Sequence, residues 1–126
     1  MPIEVTINHD EQIVHATCYG KITLPDFQHY QHETWGSVRV KGYRELFDAS
    51  KGDVSGFSIA DAMTVADKGD ENDSGASKTK TAIVISSGRQ KQLAIIYATK
   101  RSLNPDNPRT IEYFFTSTIA LDWLNK

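Results

Sequence analysis

Residues 81–89 read TAIVISSGR. Five residues of almost unbroken apolar character stop at two serines and a glycine. A strand with one wet face alternates apolar and polar residues, whereas one buried on both faces reads as a continuous apolar run. The run 81–85 therefore predicts a central parallel strand with helices above and below it. Ser86, Ser87 and Gly88 turn the chain. Beyond them Leu93, Ile96 and Tyr97 form the inward face of a helix.

The preceding unit, residues 45–58, reads ELFDASKGDVSGFS. A strand over 43–49 gives way to glycines and serines. Ser58 with Asp61 three residues on matches a capping box for a second helix. Ile59, Ala62, Met63 and Ala66 keep helical spacing and predict a face packed on the sheet. Gly69 reads as the helix stop. The stretch 70–78, DENDSGASK, is acidic and small, and predicts a solvated loop.

Toward the N-terminus, Ile3, Val5 and Ile7 alternate with polar residues, and a short loop leads to a second strand over 13–19. That is an antiparallel hairpin. Thr23, Pro25 and Asp26 open a first helix with Leu24, Phe27, Tyr30, Thr34 and Trp35 on one face, and Gly36 ends it. Toward the C-terminus, 104–109 (NPDNPR) is a Pro-rich loop and 111–115 (IEYFF) a last strand. Thr116 and Ser117 cap a short helix with Ile119, Ala120, Trp123 and Leu124 toward the core. The order is β-β-α-β-α-β-α-β-α. It predicts one α/β sandwich domain over residues 1–126, with a mixed sheet of about five strands and flanking helices.

The composition narrows the function. A chain of 126 residues suffices for one core. A formal net charge of −2 argues against a general nucleic-acid binder. No stretch approaches the ~20 apolar residues of a membrane span. The start, MPIEVTINHDEQ, lacks the basic and apolar pattern of a signal peptide. The single cysteine, Cys18, excludes an internal disulfide, and the expected compartment is the cytoplasm.

Four stretches together carry a resemblance: GKITLPDF (20–27), LFDAS (46–50), TAIVISS (81–87) and EYFFTSTIALDWLNK (112–126). In this order and spacing the chain resembles the STAS-like proteins. These are bacterial relatives of anti-sigma-factor antagonists, loosely grouped with lipid-transfer domains of the CRAL-TRIO type. The resemblance implies partner docking or apolar-ligand binding rather than catalysis. The antagonists carry Asp-Ser-Ser-Gly at the start of the second helix, where one serine is phosphorylated. Here Asp53-Val54-Ser55-Gly56-Phe57-Ser58 stands instead. Ser58 lies nearest that position and Ser55 next.

Two loop regions are the candidate sites. Ser58 and Ser55 are candidate switch serines, with Asp48, Asp53 and Phe57 as candidate contacts for a protein partner. A phosphate on Ser58 would add about two negative charges at a helix N-terminus; the plainer role is an N-cap worth about 1 kcal/mol. Phe57, in a Gly-flanked loop, marks a contact surface if exposed. Ser87, Gly88 and Arg89 follow a central strand and could hold an anion, or merely cap a helix. Lys91, Lys100 and Arg101 form a basic flank. His29, His32 and Glu33 lack the further ligands a metal needs, and no G-x-S-x-G or phosphate-loop spacing occurs.

The expectation is thus a non-enzymatic interaction domain without cofactor or metal, docking a protein partner through residues 48–61. The alternative is a small apolar-ligand or lipid binder with a cavity between sheet and helices, lined by Met63, Ile96 and Tyr97. Homo-oligomerisation through a sheet edge or helix face is open to either.

Overall fold

The computed structural model describes residues 2–126. β1 (Ile3–Asn8) and β2 (Ile13–Cys18) pair antiparallel, Ile3 opposite Cys18. β3 (Gly20–Lys21) precedes α1 (Leu24–Tyr30), which runs directly into a π-helical segment, Gln31–Trp35. A 3-10 turn, Val38–Val40, leads to β4 (Arg44–Asp48). Then follow β5 (Gly52–Asp53), α2 (Ile59–Asn72), β6 (Thr79–Val84), α3 (Gly88–Ser102), β7 (Arg109–Phe114) and α4 (Ser117–Leu124).

The main sheet has the order β1-β2-β4-β6-β7, and every pair after the hairpin is parallel. β3 and β5 make a separate short parallel pair. The α/β class and the five-stranded mixed sheet are those the sequence predicts. β6 is covered on both sides, as its apolar run requires. Ala82 and Val84 pack with Leu46 against Ala120 and Leu124 of α4. Ile83 and Ile85 pack on the opposite face against Ala94 of α3. On that face α1 and the π segment bring Phe27, Tyr30 and Trp35 onto Val14, Ala16 and Phe47. Phe57, Ala62, Val65 and Leu93 form a cluster between α2, α3 and the loop before α2. Among the described residues no helix is long and apolar enough to cross a membrane.

Three expectations fail around α2. Its buried stripe is Ala62, Val65, Ala66 and Gly69, while Ile59 and Met63 lie 42% and 43% exposed. Small residues face inward because α2 packs closely on α3. Gly69 does not end the helix, which runs three residues further to Asn72. A Cβ at Gly69 would stand 2.5 Å from Arg101 Nη1 and 3.1 Å from Tyr97 Oη. The glycine permits close approach; it is not a stop. Residues 70–72 are therefore helical, and Asp73, expected in a solvated loop, is buried. In α4, Ala120 and Leu124 are buried but Ile119 is exposed.

Gly69→Ala tests that close approach. Alanine favours a helix by roughly 0.8–1 kcal/mol over glycine. Arg101 cannot yield freely, because Asp70, Asp73, Tyr97 and Asn107 all hold its guanidinium. The expected net effect is a loss of about 1–3 kcal/mol in urea unfolding. Gly88→Ala, whose Cβ would meet nothing within 4 Å, serves as control and stays near neutral. A stabilised Gly69→Ala variant would contradict the account.

Candidate functional site

The loops and helix starts at the carboxyl ends of the strands hold the candidate switch, partner-contact and anion residues: Asp48, Asp53, Ser55, Phe57, Ser58, Ser87, Gly88 and Arg89. The structure brings the two loop regions together. Ser86 Oγ donates to the Ser50 carbonyl at 2.6 Å, and Gln90 Nε2 donates to the Gly52 carbonyl at 2.9 Å. Arg89 Nη2 donates to the Phe57 carbonyl at 2.8 Å, and its Nη1 donates to Gln92 Oε1 at 2.7 Å. The guanidinium expected to face an anion is thus spent on the protein. Ser87 Oγ accepts from Gln90 N at 3.1 Å as an N-cap, and Gly88 begins α3.

The serines are caps and turn residues. Ser58 and Asp61 form the capping box: Asp61 N donates to Ser58 Oγ at 3.0 Å, and Ser58 N donates to Asp61 Oδ2 at 2.9 Å. Ser50 N and Oγ both donate to Asp48 Oδ1, at 2.9 and 2.5 Å. Ser55 N donates to Asp53 Oδ1 at 2.9 Å, and that bond holds the exposed Asp53 carboxyl below its ordinary pKa. Phe57 is only 4% exposed and packs against Phe27, ring centroids 5.1 Å apart and planes tilted by 43°. It is a core residue, so it cannot be a partner contact in this conformation. His29 and His32 are exposed on the first helix, and the described residues hold no cluster of three acidic, histidine or cysteine side chains around a common point.

The polar groups that are buried lie elsewhere, at the amino ends of the parallel strands. Asp73, just past α2, stands between two guanidiniums. Arg109, the first residue of β7, grips it with two bonds, Nε to Oδ2 at 3.0 Å and Nη2 to Oδ1 at 3.1 Å. Arg101 in the last turn of α3 donates to the same carboxylate through Nη2 and to Asp70 through Nε at 2.7 Å. Side-chain exposures are 1% for Arg101, 2% for Arg109 and 6% for Asp73. Arg101 was expected on a basic surface flank; helical spacing from Leu93 through Tyr97 carries it inward instead. Burial pushes the Asp73 carboxyl up, but the two guanidiniums more than offset this and hold it below the ordinary carboxylate value.

A hydroxyl relay adjoins this clamp. Arg109 Nη1 donates to Thr81 Oγ1 at 3.2 Å, and Thr81 Oγ1 donates to Glu45 Oε1 at 2.9 Å. Tyr30 Oη donates to Glu45 Oε2 at 2.5 Å and accepts from Trp35 Nε1 at 2.9 Å. The Trp35 ring lies 4.8 Å from the Arg109 guanidinium. Burial, then the Glu45 charge, raises the Tyr30 pKa well above the ordinary tyrosine value.

Between this polar end and the loops lies a cavity of about 100 Å³, bounded by the sheet, α1, the π segment, α2 and α3. Phe27, Phe47, Phe57 and Leu93 make much of its wall, and Tyr97 and Gln31 reach it. Met63 and Ile96, expected to line it, do not. Met63 points outward, and Ile96 packs among the helices. Cys18 also borders the cavity; burial, then Asp48 and Asp26, pushes its thiol up to about 12, so it is inert at neutral pH. Gln31 is 5% exposed. Its Nε2 donates to the Val65 carbonyl at 2.8 Å, while Oε1 has no hydrogen-bond partner among the described residues. Gly36 follows the π segment because a Cβ there would collide with the His32 carbonyl oxygen.

Fold and site together describe an α/β domain with a mainly apolar chamber bordered at one end by a compensated charge cluster. Comparison with protein-family models, with curated proteins and with solved structures finds no match to this chain.

The clamp makes a pH-dependent prediction. Asp73 has a folded-state pKa below its unfolded value of about 3.9. Its contribution is complete above that value and is lost as pH falls through the lowered folded-state pKa. At pH 7, Asp73→Asn is expected to lower the unfolding free energy by about 3–5 kcal/mol. Lys68→Ala, which removes the exposed Lys68–Glu71 pair, changes it by less than about 1 kcal/mol. Below about pH 4 the wild type loses stability more steeply than Asp73→Asn. Equal acid limbs in urea titrations would contradict the clamp.

Proposed function

We propose that this protein binds a small, mainly apolar molecule in the chamber between the sheet and α1–α3, without acting on it chemically. One observation carries the reading: a cavity of about 100 Å³ lined mainly by apolar side chains, Phe27, Phe47, Phe57 and Leu93 among them. Protein interiors are close-packed, with few voids larger than a water molecule. A void of this size costs about 2 kcal/mol at the usual ~24 cal/mol per Å³. An engineered cavity of about 150 Å³ with aliphatic and aromatic walls binds benzene. The STAS-like resemblance is compatible with such a role through its lipid-transfer relatives.

Protein docking through residues 48–61 is the second reading. Ile59 and Met63, exposed one turn apart beside the solvent-facing Ser58, favour it. A phosphate on Ser58 would break the capping box and stand against Asp61, which makes the serine a better cap than a switch.

Thermal denaturation with toluene, kept near one hundred times its dissociation constant, tests the first reading. Stabilisation of about 2.7 kcal/mol follows from mass action, a rise of several degrees in Tm. Ala94→Leu, which fills the cavity wall, abolishes the rise. No shift with toluene, together with a clean apo mass in native mass spectrometry, would refute ligand binding.

A further inference from the structure

We infer that the open edge of β1 docks a second copy of this chain, antiparallel and two-fold symmetric about Val5, so that the two sheets join into one. This surface lies apart from the chamber, and the inference stands without the ligand reading.

The main sheet ends at β1 on one side and at β7 on the other. β7 is covered on both faces: Ile111 and Tyr113 pack with Ala94 of α3, and Phe114 packs with Ala120 and Leu124 of α4. β1 is barer, and its backbone is poised to pair. Tyr19 N donates to the Pro2 carbonyl at 2.7 Å, one step beyond the Ile3–Cys18 pair of the ladder. Hydrogen-bonded and non-bonded pairs alternate along an antiparallel ladder. Glu4, Thr6 and Asn8 therefore bond inward to β2, and Ile3, Val5 and Ile7 direct their N–H and C=O groups at the open edge. Natural edges are blunted by lysine, proline or a bulge. Residues 3–8, IEVTIN, contain neither lysine nor proline, and their register runs without a bulge.

The side chains say what fits there. Ile3, Val5 and Ile7 continue the apolar face of Cys18, Ala16 and Val14 across the ladder. Ile3 is 7% exposed, yet Val5 and Ile7 are 38% and 37% exposed. The first helix reaches only the Ile3 end, where Asp26, His29 and Glu33 line a groove together with Ile3 and Val5. A two-fold axis through Val5 puts Ile7 of each copy opposite Ile3 of the other. Each Ile7 then enters its partner's groove, and each first helix shelters the isoleucine that its own chain leaves open. The backbone matches as well, because residues 3, 5 and 7 meet 7, 5 and 3 as hydrogen-bonded pairs. Glu4, the one charge in the strand, falls opposite Thr6. An axis at Glu4 would set like charges face to face, which is destabilising. An axis at Thr6 would set the buried Ile3 against His9. Pairing β1 with β1 uses up both edges and closes the assembly, whereas pairing β1 with β7 would leave free edges and run on as a fibre.

Analytical ultracentrifugation over a wide concentration range, with cross-linking, tests this. Wild type is expected to dimerise as concentration rises and to dissociate on dilution. Val5→Lys sets two ammoniums opposite each other at the axis and should be monomeric where wild type is dimeric. Val38→Lys, at an exposed apolar residue off the edge, should dimerise like wild type. In the stated register the two copies of residue 5 have Cα atoms about 5.5 Å apart, within disulfide reach. The two copies of residue 7 lie about 14 Å apart, four residues along the strand. Under mild oxidation Val5→Cys should therefore cross-link and Ile7→Cys should not; the native Cys18 is buried and does not compete. Should a variant fail to fold, amide hydrogen exchange on wild type decides: Val5 and Ile7 should be protected in concentrated solution and exchange freely when dilute. A wild type that stays monomeric at every concentration, or exchanges freely at Val5 and Ile7 when concentrated, would overturn the inference. So would a dimer that survives Val5→Lys, or one that cross-links through Ile7→Cys more readily than through Val5→Cys.

Discussion

The Asp73 carboxylate, gripped by Arg109 and Arg101, is the constraint on which the rest of this molecule depends. It ties the end of α2 to the last turn of α3 and to the first residue of β7. Three charged groups have left water, which is tolerable only because both guanidiniums donate to Asp73, Arg101 also to Asp70 and Asn107, and Arg109 also to Thr81. The clamp explains features that otherwise look unrelated. α2 overruns Gly69 because Asp73 must reach the guanidiniums. Gly69 lacks a Cβ because Arg101 passes over it. Trp35 stacks on Arg109, so the π segment ends against the same cluster.

Magnitudes show why the cavity persists. Closing about 100 Å³ of void would gain about 2 kcal/mol. Removing one partner from a buried ion cluster loses about 3–5 kcal/mol. Collapse of the helices onto the sheet would have to shift the clamp or the Tyr30–Glu45–Thr81 relay, and loses more than it gains. A mainly apolar space kept open by the fold is what a binding site needs before its ligand arrives.

Much of the fold was legible in the sequence, and the site was not. The alternation of Ile3, Val5 and Ile7, the solid run 81–85 and the caps Thr23, Ser58, Ser87 and Thr116 all report local structure, and local structure is what periodicity and capping encode. The clamp joins residues 28 and 36 positions apart. Such pairing leaves no local trace, and Asp73 sits in DENDSGASK, whose composition reads as solvent-loving. Arg101 was the one recoverable member, at helical spacing from Leu93 and Tyr97. Gln31 carried no signal, because the switch from α to π turns that points it inward depends on packing against α2. The serines that drew notice at the carboxyl edge proved to be caps and turns, the ordinary use of serine there.

A crystal held under xenon pressure asks the central question directly: does the clamp keep a chamber open to an apolar guest? Xenon is expected at one site bounded by Phe57, Leu93, Tyr97 and Gln31, with the Arg101–Asp73–Arg109 cluster unmoved. A core without xenon there, its side chains repacked to fill the space while the ion cluster stays intact, would contradict the account.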